Sequence, residues 1–536
     1  MKEYFRKKLI KNSGRIAVFI FFFVLLVVGL TVFKDYGVHW DEYQNQVFGN
    51  KWLSYIENSI SQNSLTDPKF LGDPRSETNH HWIHGPAIEI FLAFFQKRIL
   101  GLHNSRDIIF TRHLCAFLLF YASVWFFYLL CKFHFKSRKV ALLGCLFLVI
   151  SPRIFADSFY NTVDIPFFSF FIISIYTLLR WLDKKTFPRA AVHAFSCAVL
   201  TDIRVIGLLV PLFTLIFMIS DIVKAPADEE RIRMWKATLI YMSLLGITVI
   251  LFWPLLWVGT FSKLKIVAEV TGIRSQWIPC LYFGKYLKIR DLAWHYVPVW
   301  IAISTPLVYS FCFLVGCFVS IKSFFKDSIK YAFSKRNTLL FLLWFFMPTI
   351  LARGKVCDGW RHLYFVYPAF LIFSITGLIS IWEFARSKTK YARRIMSILI
   401  VSAVLLNLAS VIHFMIKYHP YQNVYFNRLA GRNMEEIKKR FDLDYWGLSY
   451  RKALEYILRN DTDESIKICA ANLPGMLSAN ILTDEDRKRL IYVQSPKEAK
   501  YFLSNYRWHP DEYPYGKEYF SIKVDGAAIV VVYKLK

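Results

Sequence analysis

Long apolar runs alternate with short basic ones along most of this chain. A bilayer core takes about 20 helical residues per crossing, fewer inside a bundle. On that measure residues 16–33, 108–131, 140–154, 164–181, 190–206, 207–223, 237–257, 297–320, 338–351, 361–382 and 395–416 each read as a crossing, about eleven in all. Residues 190–223 are too long for one helix across the core at about 1.5 Å per residue, so they divide near Asp202. The first run follows Lys2, Arg6, Lys7, Lys8, Lys11 and Arg15, with no small-residue cleavage site before Asp35. It reads as an uncleaved anchor rather than a signal peptide.

Lys and Arg in short loops set orientation. The loops expected on the side of the N-terminus carry Lys132, Lys136, Arg138 and Lys139, then Arg180, Lys184, Lys185 and Arg189. Later ones carry Lys322, Lys326, Lys330, Lys335 and Arg336, then Arg386, Lys388, Lys390, Arg393 and Arg394. All belong in the cytoplasm on this reading. An odd number of crossings then places residues 417–536 outside. There 435–440 and 450–459 read as helices and 527–533 as a strand. The long first outer loop, 34–107, contains an apolar stretch at 87–100 that ends in Gln96-Lys97-Arg98 and suits an interfacial helix. The expected fold is an all-α polytopic membrane bundle over residues 1–416, with a small extracytoplasmic C-terminal α/β domain over 417–536. Its place is the cell (inner) membrane.

Composition narrows the function. The 536 residues carry 67 Lys and Arg against 39 Asp and Glu, for a net charge of +28. That charge lies between apolar blocks, as in cytoplasmic loops, and no base-reading motif accompanies it. An aromatic share of 18% excludes disorder, and nine scattered cysteines exclude a small disulfide scaffold. Cys280, Cys357 and Cys469 stand outside the expected spans, where pairing is open to them. Glycine-rich phosphate loops are missing, which disfavours an ATP-driven pump or a nucleotide-cofactor enzyme.

Ionisable groups at a membrane boundary are costly and mark function. Asp41 and Glu42 follow the first span in Gly37-Val38-His39-Trp40-Asp41-Glu42-Tyr43. Asp157 and Asp164 bracket the outer ends of the third and fourth spans. Asp164, just before Ile165-Pro166, also suits a helix N-cap, and both roles are compatible. Arg353, Lys355, Arg361 and His362 form a cationic group at the outer mouth that suits a phosphate. Headgroup binding is the competing explanation. Arg204, near Asp202, reads as one half of an intramembrane ion pair. His80, His81 and His84 are dense enough to raise metal ligation, but their spacing fits no defined zinc pattern.

Together these features resemble the GT-C glycosyltransferases. The motifs are Asp-Glu after the first span, an Asp-x-Pro at Asp164-Ile165-Pro166, and Arg361-His362-Leu363-Tyr364-Phe365-Val366-Tyr367-Pro368 opening a late span. The branch is the dolichyl-phosphate-mannose–protein mannosyltransferase-like group, which includes bacterial aminoarabinose transferases. Residues 161–167 and 418–427 look like signatures of a bacterial subgroup. The resemblance implies a bundle of the GT-C type and an inverting transferase acting on the non-cytoplasmic face. It would move a hexosyl or pentosyl group from a polyprenyl-phosphate donor to an acceptor hydroxyl of a glycan, lipid or protein. The family's first acid falls on Asp41, beside Glu42, and its second on Asp164, with Asp157 the rival. Arg361, with Arg353, Lys355 and His362, falls on the donor phosphate. A Glu-Lys-Pro of the aminoarabinose branch is replaced here by Ile83-His84-Gly85-Pro86, so the metal ligand of that branch is in doubt; His81 or His84 are the substitutes, and a divalent cation stays open. The competing class is a transporter or flippase of lipid-linked sugars. That class calls for charges deep in mid-span and inverted halves, whereas the acids here sit near span ends.

Overall fold

The computed structural model describes residues 2–72, 84–271, 279–326, 332–352 and 356–536. Among these, eight helices are long and apolar enough to cross a membrane: Gly14–Val32, Ser105–Phe135, Asp164–Asp183, Val205–Lys224, Asp228–Phe252, Leu307–Phe325, Arg361–Arg386 and Lys390–Lys417. The protein is a multi-pass helical bundle. Eight of the eleven expected crossings correspond to these helices, and the other three are shorter pieces. Residues 140–154 resolve into Arg138–Val149 and Pro152–Tyr160, bent by 70°. Pro152 opens the second helix, where its missing N–H costs nothing. The expected crossing at 190–206 is the helix Phe187–Ile203, and that at 338–351 is Arg336–Leu351.

Proline also breaks the run at 297–320. It divides into Tyr296–Ser304 and Leu307–Lys326, because the residue before Pro306 is pushed out of the helical region. The split expected near Asp202 falls at Arg204, which is extended, with a short 3-10 turn Val205–Leu208 after it. The stretch 87–100 forms Ala87–Phe94 and a wider π turn, Phe95–Ile99. Thirteen residues reach only about 20 Å, short of a crossing.

The C-terminal part adds five strands: β3 (Ile466–Ala470), β4 (Leu490–Tyr492), β5 (Tyr501–Ser504), β6 (Phe520–Val524) and β7 (Ala527–Lys534). An earlier hairpin, β1 (Pro279–Tyr282) and β2 (Lys285–Lys288), belongs to the outer loop before Tyr296. The sheet order is β4-β3-β5-β7-β6, with β3 parallel to both neighbours and β7 antiparallel to β5 and β6. Asp525 and Gly526, both at positive φ, close the β6–β7 hairpin, as a two-residue loop requires. β7 is buried along almost its whole length. One side meets Tyr450, Leu454 and Ile457 of the amphipathic helix Tyr450–Asn460, and the other meets Tyr513 and Tyr515.

Residues 421–448 pack into the same core as the bundle, so the C-terminal part is seated on the helices. Arg451 donates to the carbonyl oxygens of Lys34 (2.5 Å) and Tyr36 (2.9 Å), at the end of the first span. That end also holds Asp164, at the start of its helix. The far end of the same helix carries Asp183, which pairs with Arg189; nearby, Lys185 and Arg336 both pair with Asp221, at 2.9 and 3.4 Å. Basic loops and candidate acids therefore occupy opposite ends of the bundle.

Helices Leu307–Lys326 and Tyr367–Arg386 cross at backbone contact. A Cβ on Gly377 would lie 1.9 Å from the Cys312 oxygen, and one on Gly316 would lie 1.8 Å from the Phe373 oxygen. Small residues let helices in lipid approach to backbone contact. Gly377→Ala should force the pair apart, at about 1–3 kcal/mol as for other overpacked cores. A thermal midpoint of the detergent-solubilised variant equal to the native one would show that no such contact exists.

Candidate functional site

Arg361 opens the 3-10 turn that leads into helix Tyr367–Arg386. Its Nη1 lies 3.1 Å from Asp164 Oδ2, and its Nη2 lies 3.4 Å from Asp358 and 3.6 Å from Asp41. The guanidinium also rests over the Trp446 ring, 4.4 Å from its centre, a cation–π contact. The structure thus brings Asp41, Asp164 and Arg361 together from three distant parts of the chain.

Asp164 is buried and heavily engaged. Arg204 donates to one oxygen and Arg361 to the other, which also accepts from Asn161 Nδ2 at 2.9 Å. Asn161 Oδ1 in turn receives the Asp164 amide at 2.8 Å. Asp164 stands in the first helical turn, and its carboxylate serves two arginines rather than capping N–H groups. Arg204 therefore pairs with Asp164, not with Asp202. Asp202 instead accepts the amides of Gly85 on its carbonyl (2.6 Å) and Ala87 on its carboxylate (2.8 Å), docking the segment that follows His84.

Asp157 lies deeper and is fully buried. It accepts from Tyr364 at 2.8 Å and Trp446 Nε1 at 3.1 Å. Asp41 caps the helix Glu42–Ser61, makes no side-chain capping bond, and keeps 39% of its side chain exposed. Glu42 points the other way, 1% exposed and 3.3 Å from His113 Nε2. Burial pushes Glu42 up, but His113, His39 and Arg112 outweigh it and hold this carboxyl below its ordinary range. His39 is driven down to about 4, chiefly by burial, so it is neutral and its Nδ1 accepts the Asp41 amide at 3.1 Å.

His362, half-buried, directly follows Arg361. Arg353, Lys355 and His81 lie outside the described residues, as does His80. No three His, Cys, Asp or Glu side chains converge on an ion position among the described residues. The oxygens of Asp164 already serve Arg204, Arg361 and Asn161, so as arranged this donor set does not fit a cation.

Several participants carried no signal in a single sequence. Arg507, from the C-terminal part, donates to Asp358 at 2.8 Å and to the Tyr445 carbonyl. Trp446 links Arg361, Asp157 and His39, whose ring is 4.9 Å away. Asp442, beside Arg507, accepts the Leu281 amide at 3.3 Å. A buried pair, Arg112 and Glu89 at 2.5 Å, lies next to Thr162. That pair was discoverable: both are charges inside apolar runs.

Asp442 supplies a pH dependence. Burial is the main cause that pushes its carboxyl up to about 6, with Arg507 opposing and Asp358 adding. An acid raised in the folded state contributes stability that is whole below its unfolded value, about 4, and lost as pH climbs past its folded value. Asp442→Asn should remove that loss, gaining on the native protein by up to about 3 kcal/mol between pH 4 and pH 7. Thermal midpoints across that interval test this; parallel profiles would refute it.

Comparison with curated proteins gives no match. Among solved structures, ArnT from Cupriavidus metallidurans bound to undecaprenyl phosphate is similar at TM-score 0.45, and the same protein in the apo state at 0.48. Each is 11% identical, over 97% of this chain and 98% of that one. Residues 84–257 match the family model described as dolichyl-phosphate-mannose-protein mannosyltransferase. That stretch holds His84, Asp157, Asp164 and Arg204, and leaves Asp41 and Arg361 on either side. Across those residues the chain carries the pattern of the dolichyl-phosphate-mannose-protein mannosyltransferase family.

Proposed function

We propose that this chain is an integral membrane glycosyltransferase. It takes a sugar from a polyprenyl-phosphate donor and transfers it to an acceptor hydroxyl on the non-cytoplasmic face, with inversion. The observation that carries the reading is the Arg361 fork between a buried Asp164 and an open Asp41. The family match through residues 84–257 supports the donor class. The N-terminus is then cytoplasmic, and the C-terminal domain covers the site from outside.

The chemistry follows from which charges are free to move. The acceptor oxygen attacks the anomeric carbon while the bond from that carbon to the phosphate oxygen breaks. Positive charge builds on the sugar, as in glycoside hydrolysis. Asp41, the exposed carboxylate, takes the acceptor proton. Glu42 is held inward by His113 and positions the turn. Arg361 binds the phosphate and stabilises the charge that grows on the leaving group. Its 3.6 Å contact with Asp41 is loose enough to yield, because Asp164 and Asp358 still neutralise it. Arg353, Lys355 and His362 stand close in sequence to assist. An apolar cavity of about 270 Å³ between Phe91, Leu92, Leu119, Thr162, Pro166 and Phe170 suits part of the isoprenoid tail.

Reconstituted protein with a labelled polyprenyl-phosphate hexose is the assay. Asp41→Asn should cut turnover by about 10²–10⁴-fold with the thermal midpoint kept. Turnover near the native rate would remove Asp41 from the role. Arg361→Lys keeps the charge but loses the planar fork, so it should raise KM for the donor and lower kcat. Unchanged values of both would remove Arg361. Movement of intact donor between leaflets, with no sugar released, would favour a flippase instead.

A further inference from the structure

Two of the cysteines outside the spans meet beside this site. Cys280 lies in β1, and Cys357 lies just before Asp358 and Arg361. Trp508 donates to the Pro279 carbonyl at 3.1 Å, and its neighbour Arg507 donates to Asp358 at 2.8 Å. These bonds draw the residue before Cys280 and the residue after Cys357 to two adjacent positions of the C-terminal part. The Tyr296 hydroxyl accepts the amide of Gly359, two residues beyond Cys357, at 3.2 Å. Both are free thiols in the structure, near enough to perturb each other, and the Cys357 thiol donates to Asp358 Oδ2 at 3.9 Å. The third outer cysteine, Cys469, is elsewhere, in β3, with its thiol on the Gln494 carbonyl at 3.7 Å.

We infer that Cys280 and Cys357 are joined by a disulfide in the mature protein. The inference rests on the outer placement of this face proposed above, since disulfides persist in oxidising compartments. The co-reactant is a disulfide-bearing exchange partner, protein or small molecule. One cysteine thiolate attacks a carrier sulfur and releases the carrier's other sulfur as a thiolate. The second cysteine then attacks the mixed disulfide, the Cys280–Cys357 bond forms, and the carrier leaves as a dithiol. Two electrons and the two thiol protons pass to the carrier. Both cysteines are buried, at 3% and 6% exposure, so exchange occurs before the outer segments close. The finished bond is then shielded from reductant. It ties the β1–β2 hairpin to Asp358, the residue shared by Arg361 and Arg507.

The test uses the full chain in native membranes. Thiols are blocked with N-ethylmaleimide in denaturant without reductant. The sample is then reduced, labelled with iodoacetamide and analysed as peptides by mass spectrometry. Cys280 and Cys357 should carry the second label and Cys469 the first; N-ethylmaleimide on both Cys280 and Cys357 would overturn the inference. A separate variant, Lys517→Cys, probed in intact cells with an impermeant maleimide, reports which side this face occupies. Labelling of Lys517→Cys with both native cysteines blocked as thiols defeats the disulfide alone. Protection of Lys517→Cys defeats the outer placement and the disulfide with it. Cys280→Ser and Cys357→Ser should lower the thermal midpoint alike, with no further fall in the double variant; additive falls would show two unlinked thiols.

Discussion

A guanidinium that is almost out of water must be paired, because leaving it unpaired costs several kcal/mol. Arg361, 11% exposed, meets that demand with carboxylates from three separate places. Asp164 comes from the start of one span, Asp358 from the turn before Arg361, and Asp41 from the end of the first span. Their convergence fixes the mouth of the bundle. Arg204 bonds to the same Asp164, so that carboxylate stays compensated when Arg361 shares itself with another anion. The cluster interleaves Arg204, Arg361 and Arg507 with Asp41, Asp164, Asp358 and Asp442. Near balance of charge lets so many ionised groups sit at the edge of an apolar core.

The C-terminal part completes this arrangement rather than hanging beside it. Trp446 lies under Arg361, donates to Asp157 and abuts His39. Arg507 neutralises Asp358 from the other side. Asp444, buried, gathers the amides of Leu448 and Ser449, the Ser449 hydroxyl and Asn423 Nδ2, which pins the loop that presents Trp446. A segment that supplies partners to the site's buried charges cannot move far without exposing them. Its seating and the electrostatics of the mouth are one interaction.

Much of the frame was legible because membranes enforce it. Apolar length and basic loops mark the spans whatever the packing, and 207–223, 361–382 and 395–416 lie within helices of the expected kind. The C-terminal helices and β7 showed equally well through their periodicity. Hydropathy does not register a bend: Ser151-Pro152 and Thr305-Pro306 are as apolar in context as their neighbours, yet proline chemistry breaks the helix at each. Pairing between distant charges was less visible still. Arg204 is two residues from Asp202, but its side chain reaches Asp164, forty positions back, because Asp202 turns to the Gly85-Pro86-Ala87 segment. Arg507 and Trp446 lie in a stretch with no membrane constraint and no repeat, so nothing in one sequence distinguished them.

Asp41 and Glu42 show why adjacency says little about role. Successive helical positions differ by about 100° around the axis, so neighbouring carboxylates at a helix start face different surroundings. Glu42 turns into the core, where His113 and the field of Arg112 keep it charged and fixed. Asp41 turns to the opening, with only a long contact to Arg361 and its amide held by a neutral His39. A base must reach its substrate and must not be locked in a strong buried pair. Of the carboxylates at this mouth, Asp157 fails the first condition, Asp164 and Glu42 fail both, and Asp358 is held between two arginines. On the transferase reading proposed above, geometry and desolvation therefore favour Asp41 for the proton-accepting role.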